Sequence, residues 1–286
     1  MKIVKHYRTD DCLRASFNAL AEATFGLNFE NWYQMGYWAD AYDPYSVVED
    51  GQVVANVSVN RTDLCVNGER RRLYQLGTVM TAPAFRNRGY IRAIMAEIEK
   101  DIRDGDGVYL FANDEVLSFY PKFGFAPGEE WVYCASVETG SRRRVQQVLM
   151  DSPENRARLE KAMAESHFPV ACGMVDNPGL LFFYAAQFLR ECVFYDEMLD
   201  VWTIAEQEED HLLLHNVFGP ETVSLREVIE GFGSTVRQVT LGFTPADPAG
   251  FTCRKLKEED CTFFVKGEGL ADFGKNKLRI PTLAHA

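Results

Sequence analysis

Two rhythms of apolar and polar residues run along this chain. Short apolar runs bounded by turn residues predict strands, and apolar residues recurring every three or four positions predict helices. Residues 2–6 read as an opening strand. Thr9 or Asp10 then caps a helix carrying Leu13, Phe17, Leu20 and Phe25. A second helical stretch surrounds Phe29, Trp32, Tyr33 and Tyr37. Residues 46–49 and 53–59 form a hairpin about Asp50 and Gly51, and residues 70–80 return antiparallel. Residues 76–80 are the buried end of that strand. A turn with Pro83 follows, then residues 86–91, then a helix marked by Ile94, Met95 and Ile98. Residues 104–107, Asp-Gly-Asp-Gly, break it. Residues 108–112 read as a buried strand ending at Asn113. A short helix over 115–120 leads to Pro121, Gly124 and Phe125, and residues 131–137 are the last strand of this unit.

The rhythm then changes and returns. Residues 141–166 are polar and charged, with a break at Ser152 and Pro153, and read as one or two connecting helices. Asn177 and Pro178 start a helix, with an N-cap and then proline at the first helical position. Residues 201–206 and 212–218 make a hairpin about Glu209 and Asp210. Ser224 caps a helix through Val228, Ile229 and Phe232. Residues 238–243 form a strand, and 252–257 with 262–265 close as another hairpin. The order of hairpin, turn, helix and strand thus occurs twice, without residue identity between the copies: a repeat at the level of pattern.

The turn between the first hairpin and its helix carries the chemistry. A strand ending in a basic, glycine-containing turn that opens a helix is built to bind phosphate. The first helical amides lack internal acceptors, and the helix dipole favours an anion there. Arg86 and Arg88 add charge-assisted donors, and Gly89 lets the backbone come close. An arginine pair at a helix start is also common as a plain solvated surface; the downstream order of strand, Asn113, Tyr120, Gly124 and Phe125 shifts the balance.

That series resembles the GNAT acyltransferase superfamily over roughly residues 45 to 135. The family's phosphate loop, Arg/Gln-x-x-Gly-x-Gly/Ala, stands here as Arg86-Asn87-Arg88-Gly89-Tyr90-Ile91, with Ile91 departing from the family's small residue. Its second block stands as Asn113, Val116 in place of alanine, Tyr120, Lys122, Gly124 and Phe125. The resemblance implies an α/β fold (α+β in the stricter sense): a mixed, mostly antiparallel sheet flanked by helices, followed by a second GNAT-like unit. The expected organisation is a catalytic domain over 1–138, a helical linker over 139–166 and a degenerate GNAT-like domain over 167–286. In that second unit Gly219, Pro220 and Glu221 replace the arginines, so it is expected to lack a CoA site.

The resemblance further implies acetyl-CoA as co-substrate, no metal, and transfer of the acetyl group to a primary amine by direct attack in a ternary complex. Residues 86–91 would hold the pyrophosphate. Backbone groups at Val79 would pair with the pantetheine arm, and Asn113 would reach the arm or the acyl group, unless it only caps the next helix. Tyr120 would protonate the leaving thiolate, unless it is a packed aromatic like Phe119. No general base is evident. Aromatic residues 32–45 interleaved with Glu30, Asp40 and Asp43 could enclose a cationic amine or simply cover the sheet. Asn56 and Ser58 give one strand a polar face that could line the acceptor cleft.

Composition sets bounds. The 286 residues are 47% hydrophobic, enough for a packed core in one large or two ordinary domains. A net charge of −12 disfavours nucleic acid and suits a cationic small molecule. Seven scattered cysteines without a Cys-x-x-Cys pair read as reduced thiols, hence a cytoplasmic protein without zinc. No segment is apolar enough for a signal peptide or a membrane span. A homodimer is left open, as are two rival activities: acetylation of a protein or peptide, and a non-catalytic acyl-CoA sensor.

Overall fold

The computed structural model describes residues 2–102, 107–140 and 142–285. Residues 104–106 of the predicted helix break, and Ser141 at the head of the connecting stretch, lie outside these. In chain order the first half contains β1 (Lys2–Val4), α1 (Asp11–Phe25), α2 (Glu30–Gln34), β2 (Tyr42–Glu49), β3 (Gln52–Val66), β4 (Glu69–Thr81), α3 (Tyr90–Asp101), β5 (Gly107–Ala112), β6 (Ala126–Pro127) and β7 (Trp131–Ser136). The second half contains β8 (Gln146–Gln147), α4 (Pro153–Ala164), β9 (Val170–Val175), α5 (Pro178–Phe183), β10 (Val193–Asp196), β11 (Val201–Glu208), β12 (His211–Phe218), α6 (Leu225–Glu230), β13 (Gln238–Leu241), β14 (Thr244–Pro245), β15 (Thr252–Lys255) and β16 (Thr262–Lys266).

Local chemistry places most of these. The Asp10 carboxylate accepts from the amides of Cys12 and Leu13, and Gly26 ends α1 in the left-handed region. Ser152 and Asn177 cap α4 and α5, each ahead of a proline.

The two sheets have the same plan. One runs β1-β2-β3-β4-β5-β16-β6, the other β8-β10-β11-β12-β13-β7-β15. Both are antiparallel except at one central step, β4 with β5 and β12 with β13, where a helix makes the crossover. The pattern-level repeat is therefore a repeat of topology. Its halves exchange strands: β7 pairs with β13 and β15, whereas β16 pairs with β5 and β6. Two sequence expectations are corrected here. The strand over 131–137 does not close the first sheet but joins the second. Residues 252–257 and 262–265 do not form a hairpin, because β15 and β16 lie in different sheets. Periodicity marks these segments as strands but carries no record of the edge they pair with. Further contact between the halves comes from β9, which adds to the far end of β3 over Asp63–Val66.

The core divides by sheet face. Tyr45, Val57, Val59, Leu76, Tyr90, Ile94, Ile98, Leu110 and Tyr120 pack under α3. On the opposite face Phe17, Phe29, Trp32, Trp38 and Tyr42 join Phe182, Phe183 and Tyr109.

Candidate active site

The site is an opening between β4 and β5. These strands pair in parallel only at Leu73, Tyr74 and Gln75 opposite Gly107, Val108 and Tyr109, yet β4 runs on to Thr81 and β5 to Ala112. Past Gln75 the two strands part. There β4 carries a bulge: Asn56 pairs with Met80 and Ser58 with Gly77, so Thr78 and Val79 share the place opposite Val57. Thr78 has φ of +48°, costly for a β-branched residue.

Above the opening stands the basic turn. Pro83–Phe85 form one 3₁₀ turn, and Asn87 (φ +63°) and Gly89 (φ +78°) both take the left-handed region before α3 begins. A Cβ at residue 89 would meet open space, so glycine is demanded there by φ rather than by crowding. No side chain caps α3, which leaves its first-turn amides facing outward. Arg88 reaches back to the Ala84 carbonyl (3.0 Å) and lies over the Phe85 ring (4.8 Å), and the exposed Arg86 stays beside the turn. The Tyr90 phenol donates to the Glu49 carboxylate, which pins the helix start to the end of β2. Ile91 turns its side chain onto the apolar cluster beneath α3.

Tyr120 belongs to that same cluster. Its ring packs against Phe119 (5.4 Å), Phe264 of the exchanged strand (5.8 Å) and Phe125 (6.3 Å). It is 5% exposed, and desolvation pushes its phenol up to about 12, so it is neutral and protonated at ordinary pH. The structure thus gathers Val79, Tyr90, Ile91 and Tyr120 around one cluster. Asn113 stands apart at the exposed end of β5. Its Nδ2 donates to Asp260 (2.8 Å), which also accepts from the Asp114 amide (2.6 Å), and its side chain makes no helix cap.

The aromatic segment before β2 is core. Trp32 donates to the Gly179 carbonyl (2.8 Å), Tyr37 stacks on Phe182 (4.1 Å), and Phe29 stacks on Phe183 (5.5 Å). The interleaved acids are already paired, Glu30 with Arg14, Asp40 with Arg8, and Asp43 with His6. Of the two readings of this segment, covering the sheet is the one that holds. Asn56 and Ser58 are fully buried in a chain of hydrogen bonds that reaches Thr78.

One residue near the site had no signal in the sequence. His285 stacks on Phe111 (3.9 Å) on the face opposite α3, and the Tyr184 phenol donates to its carbonyl. The neighbouring Ala284 carbonyl accepts from Tyr109 (2.6 Å). Desolvation lowers the imidazole to about 3, and its Nε2 is buried without a hydrogen-bond partner among the described residues. Isolated in sequence, it gains meaning only from this packing.

The matching region of the second sheet is built differently. Past Leu214 and Leu241, where β12 and β13 part, the Gly242 carbonyl accepts from the Thr282 amide (2.8 Å), and Thr282 Oγ1 meets His215 Nδ1 (2.9 Å). The chain itself occupies that opening. Helix α6 has a complete capping box, in which the Ser224 hydroxyl accepts from the Glu227 amide and the Glu227 carboxylate from the Ser224 amide. A cleft of about 660 Å³ lies beside it, with Glu138, Glu221, Glu230 and Asp247 in its lining.

Comparison with known proteins follows the first half most closely. Residues 7–128 match the family model of the acetyltransferase (GNAT) domain. No curated protein matches the chain in sequence. Solved structures match its fold over nearly its whole length. One is a conserved protein of Enterococcus faecalis described as a probable N-acyltransferase, at 14% identity and TM-score 0.59, covering 95% of this chain and 74% of the other. Another is a GCN5-related N-acetyltransferase from Kribbella flavida, at 15% identity and TM-score 0.55, covering 92% and 70%. A third is Eis1 from Mycobacterium abscessus, at 11% identity and TM-score 0.53, covering 92% and 73%. At such identities the likeness speaks for the fold alone.

Proposed function

We propose, from the match of residues 7–128 to the acetyltransferase (GNAT) domain, that this chain is a GNAT-type enzyme that moves an acetyl group from acetyl-CoA to the primary amine of a small molecule. The observation that carries this reading is the opening between β4 and β5, which leads to the uncapped amides of α3 beside Arg86 and Arg88. A pyrophosphate at residues 86–91 would accept from those amides and from the two guanidinium groups. Backbone groups at Val79 would pair with the pantetheine arm as a short added strand. Asn113 would border the acyl end of the arm.

The neutral amine attacks the thioester carbonyl, forming the C–N bond; the nitrogen then gives up a proton to solvent as the C–S bond breaks, and the leaving sulfur takes up a proton. Tyr120 would supply it: burial keeps its phenol protonated, and its hydroxyl has no hydrogen-bond partner among the described residues to compete. Positioning of two bound substrates supplies the rest of the acceleration. The second half presses α5 onto the aromatic face of the first sheet, which favours a small acceptor over a protein surface. We assign no CoA to the second half, because α6 is capped from within, Thr282 fills the opening, and carboxylates line its cleft.

Calorimetric titration of acetyl-CoA tests the reading. One site per chain is expected. An Arg86→Ala/Arg88→Ala double variant should bind about tenfold more weakly, as two exposed charge-assisted contacts together contribute about 1.4 kcal/mol. Absence of binding would overturn the proposal, and two sites per chain would overturn the silent second half. Binding without turnover of any amine would point to a sensor instead.

A further inference from the structure

The second half holds a cleft that the proposed acetyl transfer does not use. Its walls are drawn from four stretches of chain: residues 135–139 at the end of β7, Phe168 and Pro169 ahead of β9, residues 221–230 before and within α6, and residues 247–251 between β14 and β15. Strand β7 reaches this place by pairing with β13 and β15, so the exchange of strands between the halves builds one of the walls. The volume of about 660 Å³ lies within the range of about 300–1,000 Å³ usual for small-molecule sites.

The lining divides into an apolar floor and an acidic rim. Phe168, Val223 and Ile229 are buried in the core of the second sheet, and Val137, Leu225 and Phe251 pack against them. Glu138, Glu221 and Asp247 are exposed. Arg226, the one cation among the described lining residues, is paired with Glu230 (3.1 Å), which removes both from the balance. Asp247 turns one oxygen to the Ala249 amide (2.9 Å). Glu138 and Glu221 have no hydrogen-bond or ion-pair partner among the described residues. The floor favours a ligand that takes apolar surface out of water, and the rim draws positive charge toward it. A phosphate or carboxylate would be repelled. A bare metal ion is a poor match as well, because among the described residues no three His, Cys, Asp or Glu side chains gather to hold one.

We propose that this cleft is a binding site for a small organic cation with an apolar body. The body lies on the floor of Phe168, Val223 and Ile229, and the charge sits among Glu138, Glu221 and Asp247 at the rim. The half of the chain to which no CoA is assigned thus keeps a ligand site of opposite charge preference. Nothing in this assignment requires the first half to bind acetyl-CoA.

The probe is (4-phenylbutyl)trimethylammonium, whose quaternary nitrogen cannot be acetylated. Calorimetry on the full chain compares it with the neutral 4-phenylbutanol and the anionic 5-phenylvalerate. One site per chain is expected, with the ammonium bound about tenfold more tightly than the alcohol and the anion not bound. A Glu138→Gln/Glu221→Gln double variant should bind the ammonium about tenfold more weakly and the alcohol as before, as expected for two lost exposed charge contacts. Ala249→Trp should fill the cleft and abolish binding of both. These variants change exposed side chains. Raising the ionic strength from about 0.01 M to about 0.15 M shortens the screening length from about 30 Å to about 8 Å, and should weaken the ammonium alone. Ammonium affinity retained in both variants overturns the assignment to this cleft, and equal affinity for ammonium and anion overturns the charge preference. A wild type that binds none of the three overturns the site altogether. Self-association that the same variants abolish would give the cleft to a second copy of the chain, and overturns the small-molecule site too. Acetyl-CoA affinity is expected to be unchanged in both variants; its loss together with that of the ammonium would mean one shared site and would also overturn the proposal.

Discussion

Tyr120 can be tested with little disturbance, because phenylalanine keeps its ring in the cluster of Phe119, Phe125 and Phe264. Tyr120→Phe is expected to lower kcat about 10²- to 10⁴-fold, the span of general acid catalysis, with the Kd for acetyl-CoA unchanged. Steady-state kinetics beside calorimetry read both, and unchanged turnover would refute the role. With burial holding the phenol up at about 12, no alkaline loss of activity near neutral pH should come from Tyr120. A second residue reports on stability. Glu130 is buried, accepts from the Ile280 amide (2.8 Å), and is pushed up to about 7 by desolvation, against the pull of Arg279. Its unfolded value is near 4.5, so the folded state holds the proton more tightly. The stability this lends is complete below about 4.5 and is lost as pH rises toward 7. Glu130→Gln should remove that slope, and melting curves across this interval compare the two proteins. The sequence pointed to Tyr120 through its spacing from Asn113. Nothing in it singled out Glu130 or His285, and it marked Asn56 only as part of a polar strand face; the properties of all three come from burial by segments distant in the chain.

Among elements, those with local causes were legible. Asp10, Asn177 and Ser224 each cap the helix predicted for them, because a cap is a bond between residues two or three apart, and Ser152, read as a break, proves to be the cap of α4. The two hairpins about Asp50-Gly51 and Glu209-Asp210 form as predicted, since turn residues fix their register. Among its described residues, 142–166, the connecting stretch contains a single helix, α4, preceded by the short strand β8, because Gln146 and Gln147 find an edge at β10. The short helix over 115–120 resolves into separate 3₁₀ turns at Asp114–Val116 and Tyr120–Phe123. The turn at 86–91 was legible in its residues. Its geometry adds that the half-buried Ile91 packs against the apolar cluster beneath α3, so this departure from the family pattern is directed away from the helix amides.

The whole molecule is bound together by exchange. Residues 1–138 on their own would lack β16, leaving β5 with an open edge and β7 without its neighbours β13 and β15. Expressed alone, they are expected to aggregate, whereas the full chain should unfold in one cooperative transition by circular dichroism and fluorescence. A soluble, folded 1–138 fragment would contradict this. Among the described residues no helix is long and apolar enough to cross a membrane. The sequence by itself determined the order of strands and helices, the basic turn with its tyrosine block, and the repetition of one plan, because periodicity, caps and turn chemistry act over a few residues. Only the tertiary structure decided that β7 and β16 change places, that Thr282 fills the second opening, and that the aromatic segment is core. Those outcomes depend on edges and surfaces meeting across long stretches of chain, and complementarity at such distance leaves no local pattern to read.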